Sequence, residues 1–546
     1  MNKLNRHVLL VVIISASCGP AIVESPSSTA TPTSAVTVTA VPTATATTVP
    51  ASLTPDIPDV QLIPARSIRA YPGPQHYSGD ILTFEIPIDD VIAEEEEIVE
   101  LQLDNNDPVE VTGVGNYFNM LVLPLALDTT GLSGRHTVRF RRAGVLLNQE
   151  YTFELLAADE RPTHEEDAAW TTVETNCCTF HVISNTAGER DIDFISGHFQ
   201  QAAEDFAVIT GETIDSKLDV YVLDRIWGNG GFGGDGELVI SYTDRYYGPT
   251  TGGDGLETLA RHEFSHAAGI GADSAGDGLE FNYEGLAVYV AGGHYKPEPL
   301  SQRGAALYDL GYFVPSSQFV SQHEASYLYS AVLLAYIVET YGEDRLWDFI
   351  NADEDIPDGQ WLTMEDALQK TFDITQAEFD ANFEAWLDAQ DPGEQLDDLR
   401  LTIELQDLRR EYQDRYAPPP TFIFDRAEKW IIRPEFIPVL IREARSPANV
   451  ATELMIANGQ QAIKDGNFAG ADELLGAIRS ILPKGTFEHP LARDYLDVVL
   501  FLAEQGYETV TLEWAGEQVH VDVLKKAPAL TRLTLQKTEA GWVIAP

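Results

Sequence analysis

The chain has 546 residues, enough for about three or four domains. It carries 86 acidic and 35 basic side chains, which gives a formal charge of -51 at pH 7. Phosphate groups of nucleic acids and anionic lipids repel such a surface, so the composition argues against nucleic acid as a partner and against adsorption to an anionic membrane.

Residues 1–18 have the features of an export signal. Lys3 and Arg6 give it a positive start, and residues 8–14 form an apolar core that is too short to cross a bilayer. The small residues before the isolated Cys18 resemble a bacterial lipoprotein cleavage box. That resemblance predicts a lipid on Cys18 and attachment to the outer face of a bacterial membrane. Ser15 stands where the box usually has leucine, so simple cleavage is the alternative.

Residues 19–55 are dominated by Ser, Thr, Pro, Ala and Val, and no charged side chain occurs between Ser25 and Pro55. A tract of this composition cannot bury enough apolar surface to build a core. It is therefore predicted to be a linker that separates the globular part from a surface.

Residues 56–160 alternate between apolar and polar side chains, with turn residues between the segments. The clearest predicted strands are residues 81–86, 99–103, 120–123, 136–140 and 151–155. No long helical pattern interrupts them, which predicts a small antiparallel β-sandwich of immunoglobulin type. A spacer role is preferred for this domain, and a binding role is the alternative.

Residues 161–392 form the predicted central domain, in which strands alternate with helices. Strands are predicted at residues 180–183, 218–223 and 238–242, with a helix over 191–210 and a glycine-rich loop over 228–236. Cys177 and Cys178 are adjacent, and a strained vicinal disulfide and two buried thiols are both open.

The pattern that governs the functional prediction is His262-Glu263-Phe264-Ser265-His266, a His-Glu-x-x-His sequence. The apolar spacing around it predicts a helix over residues 256–268. Residues four apart lie on one face of a helix, so both imidazoles can bind one Zn²⁺. Glu263 then lies beside the metal, where a general base for the attacking water belongs.

A catalytic zinc site has three protein ligands, so one more must follow His266. The available side chains are Asp273, Asp277, Glu280, Glu284 and His294. Glu284 is the best candidate because it begins the apolar segment 285–291, which predicts a second helix. Asp277 is the next alternative, although its surroundings are typical of a turn. A metzincin would have its third histidine at residue 272, where this chain has alanine.

The two segments together resemble a gluzincin metallopeptidase. The similarity is to peptidase MA-like domains related to the aminopeptidase N group, and it covers roughly residues 170–390. Residues 327–342 are similar to a helix of those domains, with the form Tyr-x-x-Ser, an apolar run and Tyr-Gly. The chain departs from the thermolysin type at Val288 and from the aminopeptidase type at Tyr283, so the resemblance is to the wider group.

The resemblance implies specific roles for residues of this chain. The implied zinc ligands are His262, His266 and Glu284, with Glu263 as the general base and Tyr327 as the oxyanion donor. The resemblance also implies that the strand at residues 237–242 lines the cleft and pairs with an extended peptide substrate, with an ordinary hairpin as the alternative.

Other candidates stay open from the sequence alone. Tyr329 competes with Tyr327 for the oxyanion role, and His294 and His323 could approach the cleft. His181 and His198 fall in a predicted strand and a predicted helix, where histidines are more often structural.

Residues 393–546 form a predicted C-terminal α+β module that the resemblance does not cover. A charged helix spans residues 396–414, prolines follow at 418–420, and residues 437–481 are helical with interruptions. Strands are then predicted at residues 509–514, 518–524, 531–536 and 542–544.

The sequence therefore predicts a multidomain α+β protein, with an immunoglobulin-like β-sandwich, a gluzincin-like metallopeptidase domain and a C-terminal module. The predicted function is zinc-dependent hydrolysis of peptide or protein substrates at a bacterial cell surface. The alternative is a non-catalytic surface binding protein in which the metallopeptidase scaffold is degenerate.

Overall fold

The computed structural model describes residues 60–88, 96–116, 119–211, 216–234, 236–249, 254–268, 280–294, 296, 298–316, 324–352, 362–423, 432–442, 444–526, 529–539 and 541–545. Within these residues the chain is a mixed α+β protein with three β-sheets. The predicted export signal with Cys18 and the predicted linker 19–55 lie outside the described residues.

The N-terminal part is one eight-stranded sheet. Its strands are β1 (Arg69–Tyr71), β2 (His76–Tyr77), β3 (Ile81–Pro87), β4 (Glu96–Leu103), β5 (Val109–Gly115), β6 (Met120–Asp128), β7 (Gly134–Arg142) and β8 (Val145–Leu156). They are hydrogen-bonded in the order β1-β3-β6-β5-β4-β7-β8-β2. Side chains alternate along β4, where Val99 and Leu101 are buried and Ile98 faces solvent. All five strands predicted here are confirmed; the immunoglobulin-type topology stays a prediction.

The central sheet has three parallel inner strands and an antiparallel strand at each edge. In chain order this part contains α1 (Thr163–Glu166), β9 (Trp170–Glu174), β10 (Cys178–Ile183), α2 (Ala187–Arg190), α3 (Ile192–Thr210), β11 (Leu218–Leu223), β12 (Gly231–Gly234) and β13 (Glu237–Ser241). The strand order is β12-β13-β11-β10-β9. The apolar face of α3 buries Phe199 and Phe206 against the sheet, which confirms the predicted amphipathic helix.

A group of helices follows this sheet in the chain. They are α4 (Asp254–Ala267), α5 (Glu280–Ala291), α6 (Leu300–Asp309), α7 (Glu324–Tyr341), α8 (Glu343–Ile350), α9 (Met364–Phe372) and α10 (Gln376–Asp388). Helix α4 packs against α3, and α5 packs between α4 and α7. Because α5 has neighbours on several sides, nearly all of its residues from 284 to 291 are buried, which explains why it is apolar around its circumference.

The C-terminal part consists of helices followed by an antiparallel sheet. Its elements are α11 (Gln395–Tyr416), α12 (Ile437–Ile441), α13 (Pro447–Lys464), α14 (Phe468–Ile481), α15 (Pro490–Glu504), β14 (Glu508–Ala515), β15 (Gln518–Lys526), β16 (Ala529–Thr538) and β17 (Gly541–Ile544). The strands pair in sequence order as a meander. The predicted helix at residues 396–414 and the four predicted strands are confirmed.

The apolar core is continuous across residue 393. One cluster of buried side chains runs from Phe180 and Phe264 of the central part to Leu405, Met455 and Val521 of the C-terminal part. Helix α11 packs against α6, against α7 and against the turn at Trp227–Asn229, so it connects the C-terminal part to the central helices.

No helix among the described residues combines the length and the apolar character that a membrane span requires.

Candidate metal centre

Helices α4 and α5 bring three predicted ligand atoms together. The Nε2 atoms of His262 and His266 are 3.1 Å apart, as histidines one turn apart on a helix allow. The Oε2 atom of Glu284 lies 3.2 Å from Nε2 of His262 and 3.4 Å from Nε2 of His266. Among the residues that the structure describes, this is the one group of histidine, cysteine and acidic side chains with metal-ligand spacing.

The three separations match one face of a zinc coordination tetrahedron. With bonds of about 2.0–2.1 Å, neighbouring donor atoms of a tetrahedral site are about 3.3–3.4 Å apart. Two imidazole nitrogens and one carboxylate oxygen also form the donor set of a catalytic zinc site that keeps a fourth position open. The three residues are 2% to 5% exposed, and burying them together is unfavourable unless a partner satisfies them. The residues present therefore fit a zinc ion.

The surroundings favour the protonation states that metal binding needs. Burial lowers the pKa of His262 to about 4, against the opposing effect of Glu284, so the ring is neutral at pH 7. Burial alone would raise the pKa of Glu284, but the neighbouring rings of His266 and His262 lower this pKa to about 2. A neutral imidazole and an ionised carboxylate are the forms that bind a metal.

A glycine next to the third ligand lets helix α5 approach helix α7. A Cβ atom at Gly285 would lie 2.5 Å from the Cβ of Ser330, well inside van der Waals contact. The Ser330 hydroxyl donates to the carbonyl oxygen of Ser326, so it is satisfied within α7. The Glu-Gly pair and the Tyr-x-x-Ser segment of the sequence therefore meet in space.

Glu263 lies in a cradle formed by glycines of β12. Its side chain is fully buried, and neither carboxylate oxygen has a hydrogen-bond partner among the described residues. A Cβ atom at Gly231 would lie 2.8 Å from Oε1 of Glu263, and one at Gly233 would lie 3.0 Å from the Glu263 backbone oxygen. Alternate residues of a strand face the same side, so the two glycines together leave room for this carboxylate. Burial, and then the charge of Glu284, raise the pKa of Glu263 well above its ordinary value.

Two predictions from the sequence, a loop at residues 228–236 and a substrate-binding strand at residues 237–242, differ from the structure. Residues 228–236 were expected to form a loop, but Gly231–Gly234 is an edge strand antiparallel to β13. The predicted substrate strand, residues 237–242, corresponds to β13, which pairs with β12 on one side and β11 on the other. The prediction that it pairs with a peptide is wrong because both of its edges are occupied. The alternation of glycines at residues 231 and 233 is the signal that could have identified the edge strand.

Tyr327 joins the ligand cluster through His294. The ring centroids of Tyr327 and His294 are 4.8 Å apart, and those of His294 and His262 are 6.0 Å apart. Tyr329 is engaged elsewhere, because its hydroxyl donates to the carbonyl oxygen of Val314. The structure therefore groups Tyr327 rather than Tyr329 with the metal ligands, and it adds His294.

Two other candidate histidines are engaged elsewhere in the central part. Nε2 of His181 is 2.7 Å from a carboxylate oxygen of Asp219 on the neighbouring strand. Nδ1 of His198 is 3.5 Å from Glu257. Both histidines therefore have structural partners outside the ligand cluster.

The remaining candidates supply no described ligand. Cys177 and Cys178 are joined by a disulfide, so the open question of their pairing is answered. Asp273, Asp277 and His323 lie outside the described residues, and the side chain of Glu280 is not among those described.

No family model matches the chain, and no curated protein is significantly similar to it. Its function must therefore be inferred from the sequence and from the geometry of the site.

Proposed function

We propose that the chain is a zinc-dependent metallopeptidase of the gluzincin type, with His262, His266 and Glu284 as metal ligands. The observation that carries the proposal is the 3.1–3.4 Å spacing of three donor atoms from two helices. A structural zinc site usually has four protein ligands, whereas three ligands with a neighbouring acid are typical of a hydrolytic site. Glu263 is that acid.

Two side chains near the ligands have separate roles in the proposed hydrolysis of the peptide bond. Zinc, when bound, supplies a Lewis acid that polarises a carbonyl and makes water more acidic. Glu263 takes the proton from the attacking water, the role of a general base held close to the reacting water. Tyr327 donates its hydroxyl hydrogen to the developing oxyanion. Burial strengthens both interactions because little water screens them.

Among the residues that the structure describes, no strand pairs with the outer edge of β12, and this unpaired edge supports a peptide as the substrate. The N–H of Ser241 donates to the carbonyl oxygen of Gly230, so the antiparallel alternation directs the polar groups of Gly231 and Gly233 away from β13. The same two glycines border Glu263. An extended peptide that pairs with this edge would therefore lie close to Glu263, the proposed general base.

The cellular placement in this proposal comes from sequence features. The enzyme is exported and held at the outer face of a bacterial membrane by a lipid on Cys18. Residues 19–55 serve as a linker, and the N-terminal sheet serves as an immunoglobulin-like spacer domain.

The proposal is tested by cleavage of a mixed peptide pool, followed by mass spectrometry. We expect cleavage by the zinc-loaded full chain, loss of cleavage with a chelator, and recovery on addition of zinc. Glu263→Gln is expected to bind zinc and to leave the peptides intact. Intact peptides with zinc bound to the wild-type chain would favour the alternative, a non-catalytic surface binding protein.

A further inference from the structure

A buried group of charges lies directly behind His294. The backbone N–H of His294 donates to Oε2 of Glu298 at 2.5 Å, and Oε1 of Glu298 is 2.6 Å from Nη2 of Arg303 on α6. The same nitrogen is 2.8 Å from Oδ1 of Asp398 on α11. Lys296 contacts the other oxygen of Asp398, so two cations and two carboxylates balance one another.

The loop that carries His294 is tightly constrained. Gly293 has a φ of +151°, and a Cβ atom there would lie 2.2 Å from the carbonyl oxygen of Lys296. The N–H of Gly293 donates to Val288, and the N–H of Glu298 donates to Gly292. The chain therefore turns sharply after α5, and His294 is fixed between that helix and the buried charges.

The ring of His294 packs against Tyr327 and His262, and the proposed reaction depends on how these two side chains are oriented. Its ring is tilted by 34° to the ring of Tyr327 and by 39° to the ring of His262. His262 must direct Nε2 at the metal, and Tyr327 must direct its hydroxyl at the oxyanion. Residues packed behind a ligand fix its orientation, and they often matter nearly as much as the ligand.

We propose that the Glu298–Arg303–Asp398 ion group is a positioning device, through which helix α11 holds His294 against His262 and Tyr327. This inference rests on the proposed zinc site, and it makes the C-terminal part necessary for that site although α11 supplies no ligand. A buried ion pair adds little net stability compared with an apolar replacement of the same shape. The location of this ion group next to His294 is therefore better explained by a role in orienting His294 than by a contribution to the stability of the fold.

A matched pair of substitutions separates orientation from stability. Arg303 lies between Glu298 and Asp398, and Arg442 lies in the same way between Asp80 and Glu165, at 2.7 Å and 2.5 Å. Asp398→Asn and Glu165→Gln each remove one of the two carboxylates beside a buried arginine. Glu165 lies on α1, and its ion group connects the N-terminal sheet to the C-terminal part rather than to the loop of His294.

The two full-length variants are compared by thermal unfolding, by zinc competition against a chelating dye, and by the visible spectrum of bound Co²⁺. We expect both to unfold at lower temperature than the wild type. Only Asp398→Asn is expected to bind zinc more weakly, by about 10–100-fold, and to change the Co²⁺ spectrum. Equal zinc affinity and equal spectra in the two variants would overturn the inference. Absence of zinc binding by the wild type would instead refute the proposed function.

Substitution of His294 tests the same inference if Asp398→Asn does not fold. His294→Phe keeps an aromatic ring against Tyr327 and His262, whereas His294→Ala removes it. We expect zinc affinity to fall in the alanine variant and to be largely retained in the phenylalanine variant. Two variants with equally weak zinc binding, or alanine with wild-type binding, would contradict a role through ring contact.

Discussion

Gly285 and Ser330 touch across two helices that carry different parts of the candidate site. A Cβ atom at residue 285 would lie 2.5 Å from the Ser330 Cβ and 3.1 Å from its carbonyl carbon. Gly285→Ala must therefore push α5 away from α7, which we expect to destabilise the fold by about 1–3 kcal/mol. Zinc affinity should fall too, because Glu284 is the adjacent residue. Thermal unfolding and zinc competition measure the two effects.

The matched control for this substitution is Gly476→Ala. Gly476 lies within α14, and a Cβ atom there would have no neighbour within 4 Å. Alanine in an open helical position is expected to stabilise the helix by about 1 kcal/mol. Zinc affinity should be unchanged. Wild-type zinc affinity in Gly285→Ala would show that the α5–α7 contact does not place Glu284.

Gly231→Ala should separate activity from metal binding. The new methyl group would lie 2.8 Å from Oε1 of Glu263 and 3.0 Å from the carbonyl oxygen of Val239. The carboxylate must move, because the strand backbone cannot yield easily. We expect peptide cleavage to fall by at least about 10-fold, since displacement of a catalytic group by 1 Å is costly. Zinc content should stay at the wild-type level, and unchanged cleavage would count against Glu263 as the base.

Two tyrosines on α7 give contrasting predictions. Tyr327→Phe should lower kcat by about 10²–10³-fold, because it removes a donor to the oxyanion, and should leave zinc binding intact. Tyr329→Phe removes a hydrogen bond to Val314 and should reduce stability by about 1 kcal/mol with little effect on kcat. The opposite ranking of the two kcat values would move the oxyanion role to Tyr329.

His76 predicts a pH dependence of stability that is independent of the metal. Burial lowers the pKa of His76 to about 4, although the Pro72 carbonyl opposes this shift. An unfolded histidine has a pKa of about 6.5, so below this pH the unfolded chain binds the additional proton. Stability should therefore fall as the pH decreases from about 6.5 to about 4, by up to about 3 kcal/mol from this residue.

Urea unfolding of the chelator-treated protein across this pH range measures the effect. His76→Gln loses hydrogen bonds to Pro72 and Tyr151, so its stability is lower throughout. The slope of stability against pH should be smaller in the variant. An identical slope in the two proteins would mean that His76 has the same pKa in the folded and the unfolded chain, which would contradict the predicted effect of burial.

Local patterns were sufficient to predict much of the fold and the grouping of His262, His266 and Glu284. The helix expected at residues 256–268 is observed as Asp254–Ala267, because its apolar residues repeat at helical spacing. The same spacing places His262 and His266 on one face. Glu284 could be proposed as the third ligand because the apolar segment after it indicated a second helix.

Contacts between distant segments could not be predicted in this way. Asp398 reaches Arg303 across 95 residues of sequence, and no local pattern relates the two. Strand β12 was also missed, because four residues that include three glycines have the composition of a loop. Residues 231–234 form a strand because β13 lies beside them, and the glycines at 231 and 233 are explained by the Glu263 side chain that packs against them. Both contacts are made by segments that are distant in sequence, so no local pattern indicates them.

The most direct test of the zinc site is the zinc bound per chain in the wild type, in Glu263→Gln and in Glu284→Ala. The measurement is made by elemental analysis after dialysis against a weak chelator. We expect one zinc per chain in the wild type and in Glu263→Gln, and a large loss in Glu284→Ala. Full zinc content in Glu284→Ala would contradict the assignment of Glu284 as the third ligand, and a wild type without zinc would contradict the site itself.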